Sequence, residues 1–147
     1  MRPSDLLSIA FATTVTAHIS IVADVEWVIS DVSASAEPHG TITRFALNVA
    51  TSSSNGTCSG AGNSFQVLGS LPKTECSPSD FAFSWTAIGS GEGNGATLEI
   101  FNSITHQHAI HTITADQIVW ENEMPNPNGR IQVYEGPGSF VVEAEAD

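Results

Sequence analysis

Basic side chains are nearly missing from this sequence. Its 147 residues hold only 4 Lys and Arg against 16 Asp and Glu, a formal net charge of −12. A field of that sign repels nucleic-acid backbones and anionic membrane surfaces, which argues against both as partners. Charge of either sign is scarce, at 14%, against the roughly 25% of an ordinary soluble domain. Ser, Thr, Gly, Asn and Ala fill the gap. Beyond residue 23 no stretch approaches the roughly 18 consecutive apolar residues of a membrane-spanning helix. Recognisable catalytic motifs are lacking too. There is no Gly-x-Ser-x-Gly elbow, and the Gly89–Gly95 run has no P-loop lysine and no helix-period sequence after it. Without a nucleophile–base pattern, no catalytic residue, enzymatic activity or cofactor is implied.

The first 23 residues stand apart. Arg2 precedes the apolar run Leu6-Leu7-Ser8-Ile9-Ala10-Phe11-Ala12, and small residues follow at Val15-Thr16-Ala17 and Ile21-Val22-Ala23. A basic start, a short apolar stretch and small residues at the cut predict a secretory signal peptide over residues 1–23, cleaved after Ala17 or after Ala23. Its removal takes away one basic and one acidic side chain, Arg2 and Asp5, and leaves the charge at −12. Residues 24–147 then form a single secreted, extracellular domain, large enough to bury a core alone.

Only two cysteines are present, Cys58 and Cys76. In a secreted chain they allow one disulfide, between the second and fourth major strand segments. Closing so short a loop is worth about 3 kcal/mol by chain entropy. Asn55-Gly56-Thr57 is an N-glycosylation sequon, expected on an exposed loop after Ser52-Ser53-Ser54.

Apolar residues recur at a period of two. Val25, Trp27 and Ile29 make one such segment; Phe45, Leu47 and Val49 a second; Phe65 and Val67 a short third; and Phe81, Phe83, Trp85 and Ala87 the strongest. Leu98 and Ile100, a long segment from Ile104 to Thr114, Ile118–Trp120, Ile131–Tyr134 and Phe140–Val142 complete the series. Lys73 falls in a Leu-Pro-Lys-Thr loop, and Asn128-Gly129 is a hairpin signal. Glu143–Asp147 reads as an alternating acidic tail that discourages edge pairing. Short strands at near-regular spacing, with no helical segments between them, predict an all-β domain, a compact antiparallel β-barrel or sandwich.

Two groups of side chains are candidates for ligand or metal contact. His106 and His108, in His-Gln-His-Ala-Ile-His, share a face if that segment is a strand, a spacing that suits two ligands to one metal ion; His111 then points the other way. Trp120 and Tyr134 are candidates for stacking on a sugar or small ligand, whereas Trp27 and Trp85 fall in phase with core residues. Exposure of Trp120 and Tyr134 would favour the alternative of a carbohydrate-binding or cell-wall-associated module, and a cleft with convergent carboxylates or histidines the lesser alternative of a hydrolase.

The order of these segments resembles a known family. Glu26-Trp27-Val28-Ile29-Ser30, Phe45-Ala46-Leu47-Asn48-Val49, Cys58, Cys76 and Phe81-Ala82-Phe83-Ser84-Trp85 are similar in succession to fungal small secreted proteins related to the Alternaria major allergen. The resemblance covers about residues 25–101. It implies a compact antiparallel β-barrel secreted by an ascomycete, an allergen or effector that binds host defence proteins or small ligands without catalysis. Family members commonly carry a cysteine before the tryptophan that links two chains; no cysteine precedes Trp27, so any dimer is non-covalent. The charge adds an expectation of its own, a cationic extracellular partner.

Overall fold

The computed structural model describes residues 12–16, 26–89, 94–122 and 129–147. Both expected cleavage points, residues 90–93 of the Gly-rich run and Asn128 of the hairpin signal lie outside them.

The period-two segments form ten strands: β1 (Glu26–Ala36), β2 (Ile42–Ala50), β3 (Asn55–Asn63), β4 (Leu71–Glu75), β5 (Phe81–Ala87), β6 (Ala96–Asn102), β7 (Gln107–Ile113), β8 (Ile118–Asn122), β9 (Arg130–Tyr134) and β10 (Phe140–Ala146). All pairings are antiparallel. The spatial order is β3-β2-β1-β10-β7-β6-β5-β4, and the β8–β9 hairpin joins β1 where Val133 meets Ser35. This sheet curls into a nearly closed barrel. Its edges meet at a disulfide between Cys58 of β3 and Cys76, the residue after β4. Beside it, Thr57 and Ser77 exchange two backbone hydrogen bonds of 2.9 and 2.8 Å.

Alternation puts one face of each strand into the barrel. Trp27, Ile29, Phe45, Leu47, Val49, Phe81, Phe83, Trp85, Leu98 and Ile100 are each at most 3% exposed. Trp27 packs edge-on to Phe81 with centroids 6.2 Å apart, and Trp85 lies between Phe45 at 5.3 Å and Tyr134 at 6.1 Å. Rings of this size each bury a large apolar area.

Two strands owe their form to special residues. In β1 the register against β2 shifts between Ser30 and Ser33, an inserted residue at a β-bulge. Asp31 takes φ 51° there, and its carboxylate accepts a hydrogen bond from the Asn48 side-chain amide at 2.8 Å. Below the bulge β1 pairs with β10; above it, with β9. The inner face of β3 is Gly56, Cys58, Gly60 and Gly62, and the glycines leave room for their neighbours. A Cβ would stand 2.7 Å from a Phe81 ring carbon at Gly56 and 2.8 Å from a Leu71 methyl at Gly60.

Several expectations change at this point. The sequon lies at the start of β3 rather than on a loop, though the Asn55 and Thr57 side chains remain exposed. Phe65 and Val67 belong to a loop, with Phe65 58% exposed; the loop anchors instead through buried Leu68. Gln132, itself buried, accepts the Leu68 N–H on its side-chain oxygen at 2.9 Å and donates its own backbone N–H to the Gln66 carbonyl at 2.8 Å. The Leu71–Glu75 segment around Lys73 is a strand, because its edge is held by β5. Residues 103–106 form a turn, so β7 starts only at Gln107. The acidic end is strand: Ala144, Glu145 and Ala146 pair with Ala109, His108 and Gln107.

Phe83→Ala is expected to cost about 3–5 kcal/mol, read as a lowered denaturant midpoint. An unchanged midpoint would show that β5 faces the other way. Gly56→Ala, which drives a methyl into Phe81, should cost about 1–3 kcal/mol. Gly138→Ala, with no atom within 4 Å of its added methyl, should stay within about 0.5 kcal/mol of the parent.

Candidate functional site

The histidine pair expected on one strand face is divided by the turn. His106 ends that turn with φ 51°, and its carbonyl accepts the Asp147 backbone N–H at 2.9 Å. His108 lies on the outer face of β7, its Nδ1 2.7 Å from a carboxylate oxygen of Asp147. Both therefore bind the chain's own C-terminal residue. Among the described residues no three His, Cys, Asp or Glu side chains are grouped so as to hold a metal ion.

The two aromatic candidates also separate. Tyr134 is buried at 9% exposure, and its hydroxyl donates to the Pro137 carbonyl at 2.7 Å. A Cβ at Gly136 would sit 2.5 Å from that hydroxyl, so the glycine lets the chain fold back over the ring. Burial raises the Tyr134 pKa above its ordinary value. Trp120 is half-buried opposite Gln132, with the Arg130 guanidinium 4.6 Å from its ring centroid. The length of β1 lies between these aromatics and the histidines: β1 meets Glu143 at Glu26 and Val133 at Ser35. His106, His108 and Trp120 do not converge on one pocket.

The residues do gather elsewhere, along the seam between β7 and β10. The ladder joining these strands runs over three register pairs and stops at Ala109–Ala144. Beyond that pair β10 continues against β1, and β7 against β6. A groove of about 380 Å³ opens between them, lined by His108, Ile110, His111, Val141, Val142, Glu143 and Glu145. His111 faces inward opposite Leu98 and stacks on Phe140, centroids 3.8 Å apart and planes 15° from parallel. Both rings belong to residues beyond the last ladder pair. His111 Nε2 is buried there without a hydrogen-bond partner. Burial also holds the imidazole below its ordinary pKa of 6.5, because the charged form is poorly solvated.

The sequence singled out His108 in this groove, but not its strand partner. Period-two patterning marks Val141 as ordinary strand surface and gives no sign that β7 and β10 diverge beside it. No protein-family model matches the chain, and no curated protein matches it.

Burial of His111 has a pH consequence. The unfolded chain takes up a proton near pH 6.5, and the folded chain only at lower pH. The stabilisation from a neutral His111 is complete above 6.5 and is lost as pH falls through the depressed folded value. Between about pH 7 and about pH 5 the denaturant midpoint should fall more for the parent than for His111→Phe, which keeps the ring stack. Equal slopes would show that the imidazole protonates in the fold as readily as in the open chain.

Proposed function

We propose that this chain is a secreted acidic barrel that acts by binding a cationic extracellular partner, without chemistry of its own. The observation that carries this reading is the imbalance of charge and its placement. No carboxylate among the described residues is buried. The three described cations are each engaged by the chain itself. Arg44 pairs with Glu37 at 2.7 Å, the Lys73 ammonium sits 4.0 Å from the Phe101 ring centroid, and Arg130 stacks on Trp120. What faces solvent is therefore a largely uncompensated negative field, which speeds encounter with basic proteins and repels acidic ones.

Secretion is supported by the expected leader, by the Cys58–Cys76 disulfide and by the acidic, lysine-poor composition. Among the described residues no helix is long and apolar enough to cross a membrane. The resemblance to the Alternaria allergen family gives the reading its setting: a fungal effector or allergen-like protein whose partner is a basic host defence protein.

Immobilised protein offered extracellular host fluid should retain basic proteins at low salt and lose them as ionic strength rises. Exposed charges are screened over about 8 Å at physiological salt. Retention of no basic protein, or equal retention of the same partner at high salt, would leave the acidity as a device for solubility alone.

A further inference from the structure

The seam between β7 and β10 combines exposed apolar side chains with flanking glutamates. Val28, Val141 and Ile110 are exposed apolar side chains, at 48%, 57% and 54%. Val28 and Val141 are register partners across β1 and β10, and Val141 and Ile110 line the same groove. Three strands thus contribute one apolar row running across the barrel surface. Glutamates bracket it. Glu143 stands opposite Glu26, Glu99 stands opposite Ile110, and Glu145 stands opposite His108. The only described cation placed near the seam by register is Lys73, which lies over Phe101, the register neighbour of His108; one positive charge stands against four carboxylates.

We propose that this seam is the docking site for an extended segment of a basic partner, one that alternates apolar and Lys or Arg side chains. The proposal rests on the cationic-partner reading and names its place on the fold. Side chains of an extended strand alternate at a period of two. One face of such a segment would set its apolar groups against Ile110, Val141 and Val28. Its basic residues point to the other face, and their long flexible stems would fold back over the segment to the flanking glutamates. The divergence of β7 and β10 opens the groove of about 380 Å³ over which the peptide would lie, beside strands that no longer pair with each other. A second copy of this chain is a poor occupant, since it would bring glutamate against glutamate across a net charge of −12 on each side.

The test is an amide NMR titration of the full domain with a short synthetic peptide of alternating lysine and valine. An alternating glutamate–valine peptide serves as control. The lysine peptide should shift the amides of Ile110, His111, Val141 and Glu143 first, and the control should shift none. Ile110→Ser with Val141→Ser should weaken binding about tenfold, and so should Glu143→Gln with Glu145→Gln. Ile42→Ser, at an exposed apolar position of β2, should bind as the parent. Shifts spread evenly over the surface, or parent-like binding by both seam variants, would overturn the seam while leaving the cationic-partner reading in place. Absence of salt-sensitive binding to any basic probe would overturn the reading itself. A dimer in sedimentation that the Ile110→Ser and Val141→Ser changes dissolve would assign the seam to a second copy, against the proposal.

Discussion

Curling eight strands into a barrel brings two sheet edges together, and in this protein they are held over only a few residues. Thr57 and Ser77 exchange hydrogen bonds, and the next residue on β3 and the preceding residue of the returning chain, Cys58 and Cys76, are covalently joined. Everything inside depends on that junction. Phe81 lies against Gly56, and Leu71 and Phe83 against Gly60. If β3 swung away from β4, these contacts would open to water together and two long strand edges would be exposed. The cross-link joins residues 18 apart in sequence, and its entropic contribution of about 3 kcal/mol is a large part of the net stability of a domain this small.

The same junction explains what the sequence hid. Where strands face a roomy core, the inward positions are large and apolar, so β2, β5 and β6 are legible from their alternation. Where β3 passes close beneath aromatic rings, only glycine fits at alternate positions. The apolar signal disappears, and Asn55–Asn63 reads as a polar loop although its period of two is intact in the glycines. Phe65 misleads in the opposite sense: an aromatic residue beside Val67 suggests a strand, yet the backbone there is committed to Gln132, whose buried amide satisfies Leu68. A long-range partner of that kind leaves no local trace.

Function was less legible than fold. The spacing of His106 and His108 is meaningful only if both lie on one strand, and a turn that ends at His106 with positive φ removes that condition. Asn102 stabilises the turn by accepting the Ile104 and Thr105 backbone N–H groups at 3.0 and 3.2 Å. Tyr134 is in phase with core residues, and its hydroxyl is satisfied by Pro137 in the loop that follows β9. The charge imbalance, by contrast, is a property of composition, and among the described residues no acid is buried.

The bulge at Asp31 has a bearing on how the length of this chain is constrained. Before it, the odd-numbered residues Trp27 and Ile29 face the core; after it, the even-numbered Ala34 and Ala36 do. The extra residue acts as a parity bit for β1. If the residue stayed but the bulge were ironed out, one half of the strand would have to present Ser33 and Ser35 to the interior, or the other half to turn Trp27 outward. Deleting one residue at the bulge itself leaves an even spacing between Ile29 and Ala34, so a regular strand would keep both halves facing the core. Elsewhere in β1 a one-residue deletion or insertion inverts a whole face, so length variation there is restricted to even steps, whereas the turns that bound the strand are under no such rule.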